Sequence, residues 1–299
     1  MYQGRNRALG HDARVAYRSP SLADIVTTLE VDRRGDRHFV ATQLDNPAHH
    51  IVGGHIAGQA LMAASRTAPG RMPHSAHVYY VRAGDARYPV DLYVDVARDG
   101  GTLSTRQVTA RQNDQILLEA LVSLSAPVES LDYQQPIPEV AEPDSLPPVQ
   151  EQLAGFADEL DGYWVRPQPF DLRYVDPPPR LAVEAETPSP RLRMWWRPSE
   201  SVPADEVLHS CLLAYLSGTT MVETALAMRS ATPIGTFNAL IDHALWFHRP
   251  ADLSDWILSD QFSPSSIAGR GLTTSTMYNR AGQLVCLATQ ELYFGRATA

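Results

Sequence analysis

The chain has 299 residues, enough for one large core or two medium ones, with 44% hydrophobic and 20% charged residues. Its formal charge of -9 disfavours a nucleic-acid partner, although a local basic pocket is compatible with that charge. Two cysteines make no disulfide framework, no apolar run reaches membrane-spanning length, and residues 1–7 are not followed by an apolar signal core, so a reduced, cytoplasmic protein without a membrane span is expected.

Residues 1–19 read as a polar arm without periodicity. Ser21 is a candidate N-cap for a short helix, and residues 28–44 alternate as a strand pair around a turn at residues 33–36. Gly53-Gly54 precede a helix expected over 56–66, ended by Pro69-Gly70. Strands follow at 75–83, 89–98, 103–111 and 115–126. Six prolines remove backbone donors between 127 and 150, so that stretch reads as a linker.

The second half, 151–296, holds an extended segment at 168–174, a proline-rich turn at 177–179 and a strand at 191–197. A long helix spans 205–228, and strands follow at 238–248, 254–262, 266–279 and 283–294. Both long helices are apolar nearly all round, which demands burial on every side. The strands follow one another without intervening helices, which favours antiparallel neighbours. One helix followed by a meander of strands is thus written twice, over 20–126 and 151–296. The expected fold is α+β, a double hotdog in which each helix is wrapped by antiparallel strands of a shared curved sheet.

Cys211 and Cys286 lie in apolar runs and read as buried thiols. The sequence has no metal-ligand spacing, no Gly-x-Ser-x-Gly elbow and no phosphate loop, so no metal and no cofactor are expected.

Several blocks stand in order along residues 20–296: Gly53-Gly54-His55-Ile56-Ala57-Gly58-Gln59-Ala60-Leu61, Arg98-Asp99-Gly100, Ile241-Asp242-His243-Ala244-Leu245-Trp246-Phe247-His248-Arg249-Pro250 and Thr289-Gln290-Glu291. Together they resemble the acyl-CoA thioesterase II family of double-hotdog enzymes. The resemblance implies hydrolysis of an acyl-CoA, or of an acyl-carrier thioester, to a free acid and a thiol. In the family an Asp, a Thr and a Gln orient the attacking water. The Gln matches Gln290, but Gly218 stands at the Asp position and Leu240 at the Thr position. The family's Gly-Gly-Gln is Gly53-Gly54-His55 here.

His55, beside the start of the first helix, is therefore the leading substitute base, with Asp242 as a further catalytic candidate. Gly53, Gly54, Gly218 and Leu240 are expected to bound the substrate site. Restoring Asp at 218 and Thr at 240 is expected to raise hydrolysis. A non-hydrolytic reaction on the same thioester, dehydration with His55 and Glu223 or cyclisation, is the alternative, as is a silent binding protein. Hotdog proteins commonly pair their sheets, so a homo-oligomer is expected.

Overall fold

The computed structural model describes residues 20–46, 49–229, 231 and 238–294. The polar arm expected over 1–19 lies outside them.

Helix α1 (Leu22–Leu29) is opened by a capping box: the Ser21 hydroxyl accepts from the Asp24 amide, and the Asp24 carboxylate accepts from the Ser21 amide. Strands β1 (Asp32–Arg33) and β2 (His38–Ala41) form the expected pair. Helix α2 (Gly53–Ser65) begins three residues earlier than the sequence suggested. Gly53 and Gly54 form its first turn, where the absence of side chains lets neighbours close in. Strands β3 (Met72–Tyr80), β4 (Val90–Asp99), β5 (Leu103–Gln112) and β6 (Gln115–Ser125) follow.

The proline-rich stretch carries a single 3-10 turn at Pro143–Ser145 and gives way to a one-turn helix α3 (Val149–Gln152). Strand β7 (Phe170–Tyr174) is followed by α4 (Pro179–Glu184), a short helix where the sequence promised only a turn. Pro179 explains the difference, because a proline at the first helical position starts a helix as readily as it breaks one. Strand β8 (Arg191–Pro198) leads to α5 (Glu206–Ala227), capped by the Asp205 carboxylate on the amides of Val207 and Leu208.

Strands β9 (Ala239–Phe247), β10 (Ile257–Ile267), β11 (Arg270–Asn279) and β12 (Leu284–Tyr293) complete the chain. The β10–β11 break falls at Ala268 and Gly269, both at positive φ, and not near residue 264. Pro264 is instead absorbed in a β-bulge between Phe262 and Ser265.

Among the described residues, twelve strands form one antiparallel sheet in the order β1-β2-β4-β5-β6-β3-β9-β12-β11-β10-β8-β7. Read outward from the central β3–β9 pair, the two halves have the same connectivity, which is the double-hotdog arrangement. The helices α2 and α5 lie against each other inside the curve. Their contact is a stack of backbone on backbone. A Cβ on Gly54 would lie 2.5 Å from the Tyr215 carbonyl oxygen, and one on Gly218 would lie 2.5 Å from the Gly54 Cα. Gly58 meets the Cys211 carbonyl in the same way, at 3.0 Å. Both cysteines are fully buried and free, and burial pushes both thiols up in pKa.

Candidate active site

One lateral row of cross-strand neighbours runs through the middle of the sheet. It reads Val94, Val108, Ala120 and Val78 in the first half, then His243, Gln290 and Thr273 in the second. Every member is buried. The first half of the row is apolar. The second half holds polar groups without protein partners: His243 Nδ1, both ends of the Gln290 amide and Thr273 Oγ1. Leaving such atoms unpaired costs about 1–3 kcal/mol each, so four of them in adjacent positions mark a place to look for a bound group.

The next polar layer makes a useful contrast. Gln261, equally buried, donates to Thr220 Oγ1 at 3.0 Å and Ser259 Oγ at 3.1 Å, and accepts from Thr224 Oγ1 at 2.6 Å. That network is closed on itself.

His243 is tied to α5. Ser217 Oγ donates its only proton to the Leu213 carbonyl one turn back, at 2.8 Å. The 3.0 Å contact between Ser217 Oγ and His243 Nε2 is then donated by the ring. This network assigns the proton to Nε2 and leaves Nδ1 as a bare lone pair. Burial holds this histidine at about 4, so it is neutral at neutral pH.

Gly218 is the next residue on α5. A Cβ there would sit 3.6 Å from His243 Cε1 and 2.9 Å from the Gly54 amide nitrogen. Position 218 is thus bordered by an imidazole edge and by the N-terminus of α2. Val52, the N-cap of α2, supplies no side-chain acceptor, so the first amides of the helix retain donor capacity. Leu240 packs directly on Gly53, where a Cβ would lie 2.3 Å from its Cδ1. Tyr80, which sequence reasoning passed over, donates from its hydroxyl to the Gly53 carbonyl at 2.9 Å, and burial first, then Asp242, raises its pKa.

His55 lies two residues beyond Gly53 on α2, which turns it about 200° round the helix. There its Nε2 meets Thr28 Oγ1 of α1 at 2.9 Å, and its ring packs edge-on to Tyr215. Burial depresses it to about 3. Asp242 alternates with His243 and is half-buried on the other face of the sheet, beside exposed Tyr79. Its carboxylate accepts from the Glu291 amide at 3.0 Å, and desolvation raises its pKa. Glu223 keeps part of its surface exposed, while its carboxyl is buried and accepts from the Tyr174 hydroxyl at 2.8 Å. Desolvation raises it to about 7. His55 and Glu223 therefore have separate partners, Thr28 and Tyr174, and are not bonded to each other as a dehydratase pair.

Two surface clefts lie elsewhere, one lined by His49, Asp85, Arg87 and Gln112, the other by Phe170, Arg197 and Leu253. Neither contains the unpartnered row, so shape and chemistry point to different places. Chemistry is the better guide here, because the row sets a bare imidazole nitrogen beside an amide with both ends unpaired.

The fold defines a double-hotdog protein, with an unpartnered, buried Gln290 inside its curve. A solved hot dog fold protein from Alicyclobacillus acidocaldarius shares the architecture at a TM-score of 0.73 and 17% identity, over 92% of this chain and 98% of its own. The family profile described as acyl-CoA thioesterase matches residues 174–293, and that described as acyl-CoA thioesterase N-terminal domain matches residues 42–125. Acyl-CoA thioesterase 2 of Haemophilus influenzae is 30% identical over 285 residues, covering 91% of this chain and 97% of its own length. The tesB protein of Mycobacterium avium subsp. paratuberculosis is 43% identical with a TM-score of 0.78, over 92% of this chain and 100% of its own. The chain belongs to the acyl-CoA thioesterase II family.

Proposed function

We propose that this protein hydrolyses acyl-CoA thioesters, releasing a free acid and CoA. The observation that carries the reading is Gln290: a buried side-chain amide, at the family's glutamine position, with neither end bonded to protein. Such a group can hold a water by donor and acceptor at once. The first-turn amides of α2 at Gly53 and Gly54, which no N-cap side chain engages, are the candidate donors for the oxyanion that forms when the thioester carbonyl is attacked. Gly218 and Leu240 shape the wall, the first by letting α2 close on α5 and the second by sealing Gly53. Asp242 braces the strand beside Gln290 through the Glu291 amide.

Thiol release from acetyl-, hexanoyl-, decanoyl- and palmitoyl-CoA tests this. Wild type should release thiol, and Gln290→Ala should lower kcat about 10²–10³-fold while the fold persists, the scale of losing one positioned polar group. Unchanged turnover in folded Gln290→Ala would reject the water-holding role.

Finer readings go with this one. Residues 20–126 and 151–296 act as two hotdog units joined by 127–150. The exposed Tyr79 and Leu121 on the outer sheet face support a homo-oligomer paired through its sheets. A cytoplasmic role in lipid metabolism or in a biosynthetic pathway, on CoA or carrier thioesters, fits the chemistry.

A further inference from the structure

We infer that His243, through Nδ1, is the general base that takes the place of the family aspartate. The inference rests on the hydrolase reading above and adds the residue that accepts the water proton.

Gln290 alone cannot perform the reaction. An amide orients a water but does not take its proton at neutral pH. With glycine at 218, the base has to come from another element. Three ionisable side chains lie near enough to consider, and each has a distinct set of contacts. Glu223 accepts from Tyr174. His55 is held on α1 through Thr28; its own Nδ1 is likewise buried without a protein partner, but Gln290 is not its cross-strand neighbour. His243 alone is a direct cross-strand partner of Gln290, on the same inward face, so the two side chains leave the sheet side by side.

Its orientation is fixed as a base requires. Ser217 Oγ accepts a hydrogen bond from Nε2–H, because its own proton is committed to the Leu213 carbonyl. The remaining nitrogen is bare, buried and without a protein partner. The ring edge also approaches the helix contact: His243 Cε1 is 3.6 Å from where a Cβ on Gly218 would lie, a position the Gly54 Cα already crowds at 2.5 Å. The Gly54 amide nitrogen is 2.9 Å from that same position. A base and a water-holding amide thus stand side by side on the sheet, next to the packed contact of Gly54 with Gly218.

The step balances. Nδ1 accepts one proton from the water held by Gln290 as its oxygen bonds to the thioester carbonyl carbon. The carbonyl π electrons move to oxygen, facing the α2 amides. The tetrahedral intermediate then reforms the carbonyl and breaks its C–S bond. The proton on Nδ1 passes to the departing sulfur, leaving a carboxylic acid, a thiol and neutral His243.

The test is kcat and KM for thiol release from the four acyl-CoAs, wild type against His243→Gln. Glutamine keeps an N–H for Ser217 and removes the basic nitrogen. The expected result is a fall in kcat of about 10²–10⁴-fold, with KM little changed. A folded His243→Gln protein that keeps its kcat within about threefold overturns the base role while leaving the hydrolase reading standing. Wild type that releases no thiol from any acyl-CoA overturns both. Should His243→Gln fail to fold, the imidazole ¹⁵N shifts of wild type decide. A protonated Nε2 with a bare Nδ1 supports the assignment, and a protonated Nδ1 in the resting protein overturns it.

Discussion

The two halves of this molecule share a connectivity and differ in what they point inward. Along one continuous row the first half offers Val94, Val108, Ala120 and Val78, and the second offers His243, Gln290 and Thr273. The valine half packs; the polar half leaves hydrogen-bonding capacity unused. A duplicated fold can thus divide its labour, with one copy lining its share of the row with core residues and the other with unpartnered polar groups. The helices join the two halves where Gly54 and Gly218 pack backbone on backbone.

The comparison is broken most severely by exchanging roles within the row. Gln290→Ala and His243→Gln should cost turnover by about 10²-fold or more, whereas Val78→Ala or Val108→Ala should cost about 0.5–3 kcal/mol of stability, read by urea melts, with kcat largely retained. A larger turnover loss from His55→Gln than from His243→Gln would return the base role to the first half.

The next largest effect concerns the helix contact. Aspartate at 218, which sequence reasoning expected to restore family chemistry, would drive its Cβ to 2.5 Å from the Gly54 Cα. Gly218→Asp should therefore destabilise by about 1–3 kcal/mol and gain no hydrolysis, even when combined with Leu240→Thr. A stable, faster double variant would show that α2 and α5 can separate at no cost.

Acid stability sharpens the comparison further. His55 and His243, at about 3 and about 4, are buried neutral, one in each half. The unfolded chain binds their protons below the ordinary histidine value, so stability is lost as pH falls from about 6.5 toward those values. Glu223 acts in the opposite sense: raised to about 7, it contributes stability fully present below its ordinary value and lost as pH rises to about 7. Replacing either histidine by Gln should flatten the acid limb. Glu223→Gln should relieve the decline between about pH 5 and about pH 7, with urea midpoints at several pH values as the readout. An acid limb unchanged in both histidine variants would mean neither ring resists protonation.

The smallest effect is expected at Thr273. Thr273→Val removes an unpaired buried hydroxyl and should stabilise by about 1 kcal/mol while lowering turnover. Stabilisation with full activity would remove Thr273 from the site and leave it a tolerated defect.

Much of the fold was legible from the chain. The strands followed from alternation between Gly, Pro and Asn-Asp turns, and the wrapped helices from their lack of a polar face. The start of α2 was misplaced because Gly-Gly reads as a breaker, while here it is a close-packing surface within the helix. Pro264 drew the hairpin break to itself, although a bulge accommodates it. The site was legible only in part. Gln290 emerged from the resemblance. His243 did not, because its meaning depends on which face of β9 it occupies and on Ser217, 26 residues away. Tyr80 and Thr273 look like ordinary strand residues until the register sets them beside Gly53 and Gln290.

The most direct test of the account is to titrate the ¹⁵N,¹³C-labelled protein with a non-hydrolysable S-alkyl-CoA thioether. The account predicts that the His243 imidazole and Gln290 side-chain amide signals shift together, with the Val78 and Val108 methyl signals moving less. Shifts confined to residues 49–50 and 85–87, or to the valine half of the row, with His243 and Gln290 unmoved, would contradict it.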